Sequence, residues 1–254
     1  MSWVLRMLRL LLIVALAAPS PVAAQRRSAP EPVTVLIGQS WIGLWRGGRV
    51  VASRTVTGWQ FGAARLSADG RMVEIAATRS DAAQGGDTIL RFDIRTLKPR
   101  AQGRDPRLTA APVRTPIGTD AGVPDDREAL ARTGREGGRM AGPTDRVVLS
   151  ADGVMVAMFA PSAEPGAPWS GRVMRLKDGQ AQSAPGLFID DGTRRDNGAA
   201  RSLACLLPRG EGAIFTYIGA PADRESEYQP LTPGAAPVPL KTPYVMSCLA
   251  PRGS

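Results

Sequence analysis

Histidine is absent from all 254 residues, and its absence removes the commonest routes to chemistry. Neither a Ser-His-Asp triad nor a His-rich metal site can be assembled. Neither cysteine has an imidazole to deprotonate it, which argues against a cysteine hydrolase. Carboxylate and guanidinium chemistry remain. Asp190, Asp191, Asp196 and Asn197 gather hard oxygen donors around Gly192 and Gly198, the donor type that Ca²⁺ takes. Their spacing does not follow the EF-hand loop, and Arg194-Arg195 between them would neutralise the site, so a solvated turn is the simpler account. Gly134-Arg135-Glu136-Gly137-Gly138 lacks the Lys-Ser/Thr that completes a phosphate-binding loop. No catalytic residue, metal or cofactor is assigned.

Three further groups could bind without reacting. Arg209 and Arg252 occupy matching phrases, Leu207-Pro208-Arg209-Gly210 and Ala250-Pro251-Arg252-Gly253, and together would make a small anion-attracting rim. Cys205 and Cys248 each stand just ahead of one of these phrases, 43 residues apart. Equivalent strands of neighbouring repeats can approach to the ~5.5–6 Å Cα separation of a disulfide. Two small buried hydrophobes are the alternative. Trp41, Trp45 and Trp59 cluster near the N-terminus, and Trp41 and Trp45, four apart, share one face of a strand. Inter-sheet packing is their ordinary use, a ligand-stacking surface the other.

The elements that would position these residues are announced by repetition. Leu66-Ser67-Ala68-Asp69-Gly70 returns as Leu149-Ser150-Ala151-Asp152-Gly153, each time before an apolar run. Asp-Gly suits a tight turn, so Asp69 and Asp152 are read as turn residues rather than as a site. The first copy leads into Met72–Ala77 and, after Gly85-Gly86, into Thr88–Ile94, where Ile89, Arg91 and Asp93 alternate with Leu90, Phe92 and Ile94. That period of two belongs to a strand and not to a helix. The second copy leads into Val154–Phe159 and Gly171–Leu176, and the Pro208-Arg209-Gly210 phrase into Ala213–Ile218 and Ser226–Leu231. Each repeat runs inner strand, turn, apolar strand, loop, alternating strand, turn.

On these residues the chain resembles a β-propeller of the WD-type and related repeat families. The resemblance implies blades of four strands and about 40–50 residues each. Val33–Ile37, Trp41–Trp45 and Val50–Val56 look like a blade without its inner strand, and Tyr244–Leu249 like an inner strand without its blade. Pairing them would complete a small all-β, propeller-like array of about four blades and remove its open edges. A truncated chain whose other blades are lost is the rival. Ser67 and Ser150 lie at nearly twice the local step, which points to a loop insertion over 100–143 rather than a hidden blade. Within it, Pro124–Arg132 has acids at its start and Arg at its end, the polarity of one or two helical turns.

The first 24 residues read as a signal peptide: Arg6 and Arg9, an apolar Leu10–Ala18, then Val22-Ala23-Ala24 before the cut. The apolar core is about half the length that spans a bilayer, so no stable membrane span is expected after cleavage. Residues 25–32 form a linker and 33–254 a single domain, periplasmic or secreted. The net charge of +9 comes from 29 Arg and 3 Lys against 23 acids. That Arg bias, with abundant Ala, Gly and Pro, reads as composition, and no basic-aromatic interleaving suggests nucleic acid. The expected function is a non-catalytic binding or protein-interaction module whose partner is a protein or an envelope polymer. The alternatives are an envelope hydrolase or lyase using carboxylate and Arg residues in a propeller channel, and a truncated remnant.

Overall fold

The computed structural model describes residues 33–80, 88–103, 126–127, 130, 141, 144–177, 179, 181–190, 200–218 and 226–251. All lie in the compact unit Pro32–Ser254. The signal peptide and linker assigned from sequence, 1–24 and 25–32, fall outside the described residues, as does most of the 100–143 insertion. Among the described residues no helix is long and apolar enough to cross a membrane.

The fold is nearly all β: four antiparallel sheets of four strands each. One contains β1 (Thr34–Gly38), β2 (Trp41–Arg46) and β3 (Arg49–Thr55). The next contains β4 (Trp59–Leu66), β5 (Met72–Arg79), β6 (Thr88–Asp93) and β7 (Pro99–Gly103). A third runs β8 (Arg146–Leu149), β9 (Met155–Ala160), β10 (Trp169–Arg175) and β11 (Ala181–Ile189). The fourth runs β12 (Ala200–Leu206), β13 (Gly212–Ile218), β14 (Ser226–Pro230) and β15 (Val238–Leu240). The final strand, β16 (Val245–Leu249), leaves its sequence neighbours and completes the first sheet in the order β16-β1-β2-β3. Its register sets Val35 against Leu249 and Leu36 against Cys248. Gly47 and Gly48 join β2 to β3 with φ of 53° and 81°, the left-handed conformation that a two-residue hairpin turn demands.

The inner strands β1 and β2 of this terminal sheet are buried on both faces, whereas the outermost, β3, is exposed. Val35, Ile37, Ile42 and Leu44 pack with Phe61, Val73, Ile75, Leu90 and Phe92 of the β4–β7 sheet. On the reverse, Leu36, Trp41, Trp45, Val245 and Cys248 pack with Cys205, Leu207, Ile214 and Leu240, against the β12–β15 sheet. That sheet turns its other face, Leu203, Leu206 and Phe215, onto Val148, Phe159, Val173 and Leu187 of the β8–β11 sheet. Three apolar seams among the described residues thus tie the four sheets together. The far face of the β8–β11 sheet carries Val147, Val156, Met158 and Met174, and Leu130 caps them, fully buried.

Three sequence expectations need correction. The stretch assigned to an insertion from residue 100 begins with strand: β7 occupies Pro99–Gly103 and pairs with β6. Its Arg and Gln side chains hid it, since an outermost strand needs little apolar surface. Asp126, Arg127 and Leu130 do turn helically as expected, Leu130 N–H donating to the Asp126 carbonyl at 2.8 Å, but they lie at the core edge and not in a loop. Asp126 N–H donates to Val147 O, and Asp126 Oδ2 accepts from Leu149 N–H, satisfying the free edge of β8. Finally, Trp59 does not join Trp41 and Trp45. It packs on the β4–β7 side of the terminal sheet, and they pack on the opposite side.

Candidate binding site at the repeated turns

The two copies of Leu-Ser-Ala-Asp-Gly build the same hairpin turn. Ser67 N–H donates to Met72 O at 2.9 Å, and Ser150 N–H to Met155 O at 2.9 Å. The serine hydroxyl then accepts the return strand's N–H, from Met72 or Met155, at 2.9 Å in both copies. The same hydroxyl donates to the aspartate Oδ1, at 2.6 Å in Asp69 and 2.5 Å in Asp152. Oδ1 also accepts the N–H two residues on, from Arg71 at 3.1 Å or Val154 at 3.2 Å. Gly70 and Gly153 close the turns at φ 66° and 70°. Ser, Asp and Gly are each required locally, which is why the phrase repeats.

The copies differ in what their second carboxylate oxygen meets. Asp152 is buried, and its Oδ2 accepts the main-chain N–H of Arg209 at 3.0 Å. Beside it, Ala151 N–H donates to Leu206 O at 3.2 Å, and Ser150 and Leu206 form a parallel bridge. The second turn is therefore a clasp between the β8–β11 and β12–β15 sheets. Its partner is the 3-10 turn Pro208–Gly210, where Arg209 adopts φ 56°. Asp69 is exposed. No N–H among the described residues reaches Asp69 Oδ2, and Arg252, which the sequence matches to Arg209, lies outside them. A cavity of about 590 Å³ lies beside the Asp69 turn, lined by residues 64–70 on one side, Cys248–Pro251 on the other, and Ala151.

Electrostatics at this cavity are set by paired charges. The Ser67 hydroxyl and the Arg71 N–H hold the Asp69 carboxyl below the usual carboxylate range. Arg65, on the cavity wall, donates its Nε to Glu74 at 2.8 Å, and Arg91 does the same from the far side. Burial pushes the Glu74 carboxyl up, but these two guanidinium hydrogen bonds outweigh it and leave it lowered. The cavity is thus ionised at Asp69 and balanced at Arg65.

The other candidates fall in various places. Cys205 on β12 and Cys248 on β16 form a disulfide with Cα atoms 5.9 Å apart, linking two sheets. Cys248 also lines the cavity. Arg209 is exposed and does not line the cavity, and Arg252 lies outside the described residues. So do Asp191, Asp196 and Asn197, whereas Asp190 Oδ2 accepts Arg201 N–H at 2.6 Å. Among the described residues no cluster of three metal-ligating side chains occurs.

One functional-looking residue escapes the sequence reading. Arg201 is almost wholly buried, with Nε on Glu227 Oε1 at 2.8 Å and Nη1 on the Gly186 and Phe188 carbonyls at 3.1 and 2.6 Å. Its guanidinium lies 4.0 Å from the Phe188 ring centroid and 3.5 Å from that of Phe215. With Nη2 also 2.7 Å from Glu227 Oε1, its charge is balanced and both faces of the group are covered by rings, so it is a seam clamp and not an anion site. Nearby Tyr217 has its pKa pushed up to about 12, by burial first and by Glu227 second. The only signal was an Arg inside the apolar run Ala200–Leu206.

No family model and no curated protein matches the chain. Among solved structures it is similar to a functionally unknown protein from Desulfotomaculum acetoxidans DSM 771, at 9% identity and a TM-score of 0.23. That match covers 85% of this chain and 65% of the other. A structure from a study of two prolyl endopeptidases matches at 9% identity and a TM-score of 0.20, covering 85% of this chain and 29% of the other. The chain therefore spans less than two thirds of either protein's length.

Proposed function

We propose that this chain is an exported, non-catalytic binding module on a four-bladed β-propeller scaffold closed by its own first and last strands. It takes a protein or an envelope polymer in the cavity between the Ser67–Gly70 turn and Cys248–Pro251. The observation that carries the reading is the cavity itself, bounded by a repeated turn and the end of the final strand. Four four-stranded sheets, three apolar seams and the β1–β16 ladder support the scaffold. The absence of His and an apolar segment of signal-peptide length support a binding role outside the cytoplasm. Among the described residues only one carboxylate, Asp69, lines the cavity, whereas two-carboxylate hydrolysis needs an acid and a base or nucleophile together.

Amide hydrogen exchange on the purified protein, with and without soluble peptides or envelope polysaccharide fragments, tests this. The reading predicts saturable protection at 64–70 and 248–251 with one ligand class. Protection elsewhere, or with neither class, refutes it.

A further inference from the structure

The outer edges of the four sheets are not alike. β7 begins at Pro99, β11 carries Pro185 beside Gly186 at φ 88°, and β15 is three residues long with Pro239 at its centre. A proline offers no N–H, and a short or irregular strand breaks the ladder, so these three edges resist a further strand. β3 has no proline: Arg49–Thr55 runs seven residues, and all but Val50 are exposed. Its register irregularity lies at the hairpin end, between Leu44 and Trp45, and leaves Ala52–Thr55 regularly paired with β2. Val56 N–H donates to Ser40 O at 2.8 Å, so the residues of that parity, Arg54 and Ala52, face β2. The alternate residues Ser53 and Thr55 turn their main-chain N–H and C=O groups outward. Among the described residues no strand pairs with that edge.

The edge also carries charge of one sign. The protein has 23 acids, yet none falls between Glu31 and Asp69, the span that holds Arg46, Arg49, Arg54 and Arg65. Arg65 pairs with Glu74, whereas among the described residues no ion pair or hydrogen bond engages the other three side chains. Arg49 stands directly opposite Arg46, and Arg54 opposite Ile42, which puts the three guanidinium groups on one face of the sheet. Like charges in direct opposition cost stability. Carboxylates brought alongside on that face would offset it.

We infer that the free edge of β3 is a docking site for an extended acidic segment of a partner protein, added as a further strand to the β16-β1-β2-β3 sheet. The main-chain groups of Ser53 and Thr55 supply the ladder. Arg46, Arg49 and Arg54 select carboxylates at alternate positions of the partner, and Val51, 44% exposed, offers an apolar contact. The same arginines disfavour a second copy of this chain, because edge-to-edge pairing of two β3 strands would bring the three guanidinium groups of each together. The outward main chain selects a polypeptide over an anionic polysaccharide, which cannot complete a strand ladder. No residue of β3 lines the cavity, so this surface is separate from the site proposed above and does not rest on it.

The probe is the acetylated, amidated peptide Glu-Thr-Glu-Val-Glu-Thr-Glu, titrated into the ¹⁵N-labelled protein. Saturable shifts and slowed exchange of the Ser53 and Thr55 amides are expected. Arg49→Gln combined with Arg54→Gln alters two exposed side chains and should keep the melting temperature. It should weaken binding about three- to tenfold, the loss of two exposed ion pairs. The same peptide N-methylated at its central residues, which removes the donors from both of its edges, should weaken by about fivefold or more. Equal affinity of the N-methylated peptide, equal affinity of the double variant, or no saturable shift at Ser53 and Thr55 overturns the inference. Equal protection of these amides by a sulfated polysaccharide also overturns it, by making the edge a general anion surface. Shifts confined to 64–70 would move the peptide to the cavity, overturning this inference and leaving that reading standing.

Discussion

Replacing both cysteines by alanine, Cys205→Ala with Cys248→Ala, removes the covalent link between β12 and the final strand. Alanine is the better choice than serine, because both positions lie in an apolar cluster where a hydroxyl would add its own cost. The cross-link closes a loop of 43 residues, and the chain-entropy relation assigns such a loop about 4 kcal/mol of stabilisation at 25 °C. For a domain of this size each kcal/mol moves the melting temperature by about 2–4 °C, so a fall of about 8–16 °C is expected. Calorimetry of the wild type, the double variant and reduced wild type gives the shift. The loss should also be local first: β16 is held by β1 along one edge and by the disulfide to β12. Amides of Val245–Leu249 should therefore exchange faster in the variant than those of β13. A free-thiol count of two in protein recovered from the periplasm, or a shift under about 3 °C, would show that the bridge does not hold the terminal strand.

Asp152→Ala should destabilise more than Asp69→Ala by about 1.5–3 kcal/mol, since only Asp152 accepts an inter-sheet N–H; paired urea melts measure it. Arg201→Met should cost about 3–5 kcal/mol in the same assay, because Glu227 stays behind in a poorly solvated place without its counter-charge. An Arg201→Met, Glu227→Gln double variant should recover part of that loss, and no recovery would refute the clamp. Tyr217 supplies an alkaline test. Its folded pKa is raised to about 12 from 10, so its stabilisation is complete below pH 10 and is lost as pH rises towards 12. Burial also raises Tyr228 and Tyr244, so absorbance titration should show all three tyrosines ionising late, and Tyr217→Phe should lessen the alkaline decline in stability.

Much of the fold is legible in the residues because strands advertise themselves locally. Thr88–Asp93 alternates as a strand with one face on the core, and β1 and β2 are mostly apolar because both faces are covered. The serine, aspartate and glycine of the repeated turn satisfy one another within six residues, so the phrase reads correctly wherever it occurs. β7 was not legible, since the outermost strand of a sheet needs few apolar side chains. Arg201 was not legible either: a buried guanidinium depends on Glu227 and two carbonyls brought from other strands.

The sequence by itself determined that the chain folds as repeated antiparallel strands, that the turns between them are Ser-Ala-Asp-Gly hairpins, and that imidazole chemistry is unavailable. These follow from short-range sterics, from hydrogen bonds a few residues long, and from composition. Only the tertiary structure decided that Asp152 is a clasp and that Asp69 lines a cavity, that Cys205 meets Cys248, and that Trp59 parts from Trp41 and Trp45. Identical phrases acquire different roles because the second carboxylate oxygen answers to whatever another sheet brings within 3 Å, and nothing within the phrase encodes that neighbour.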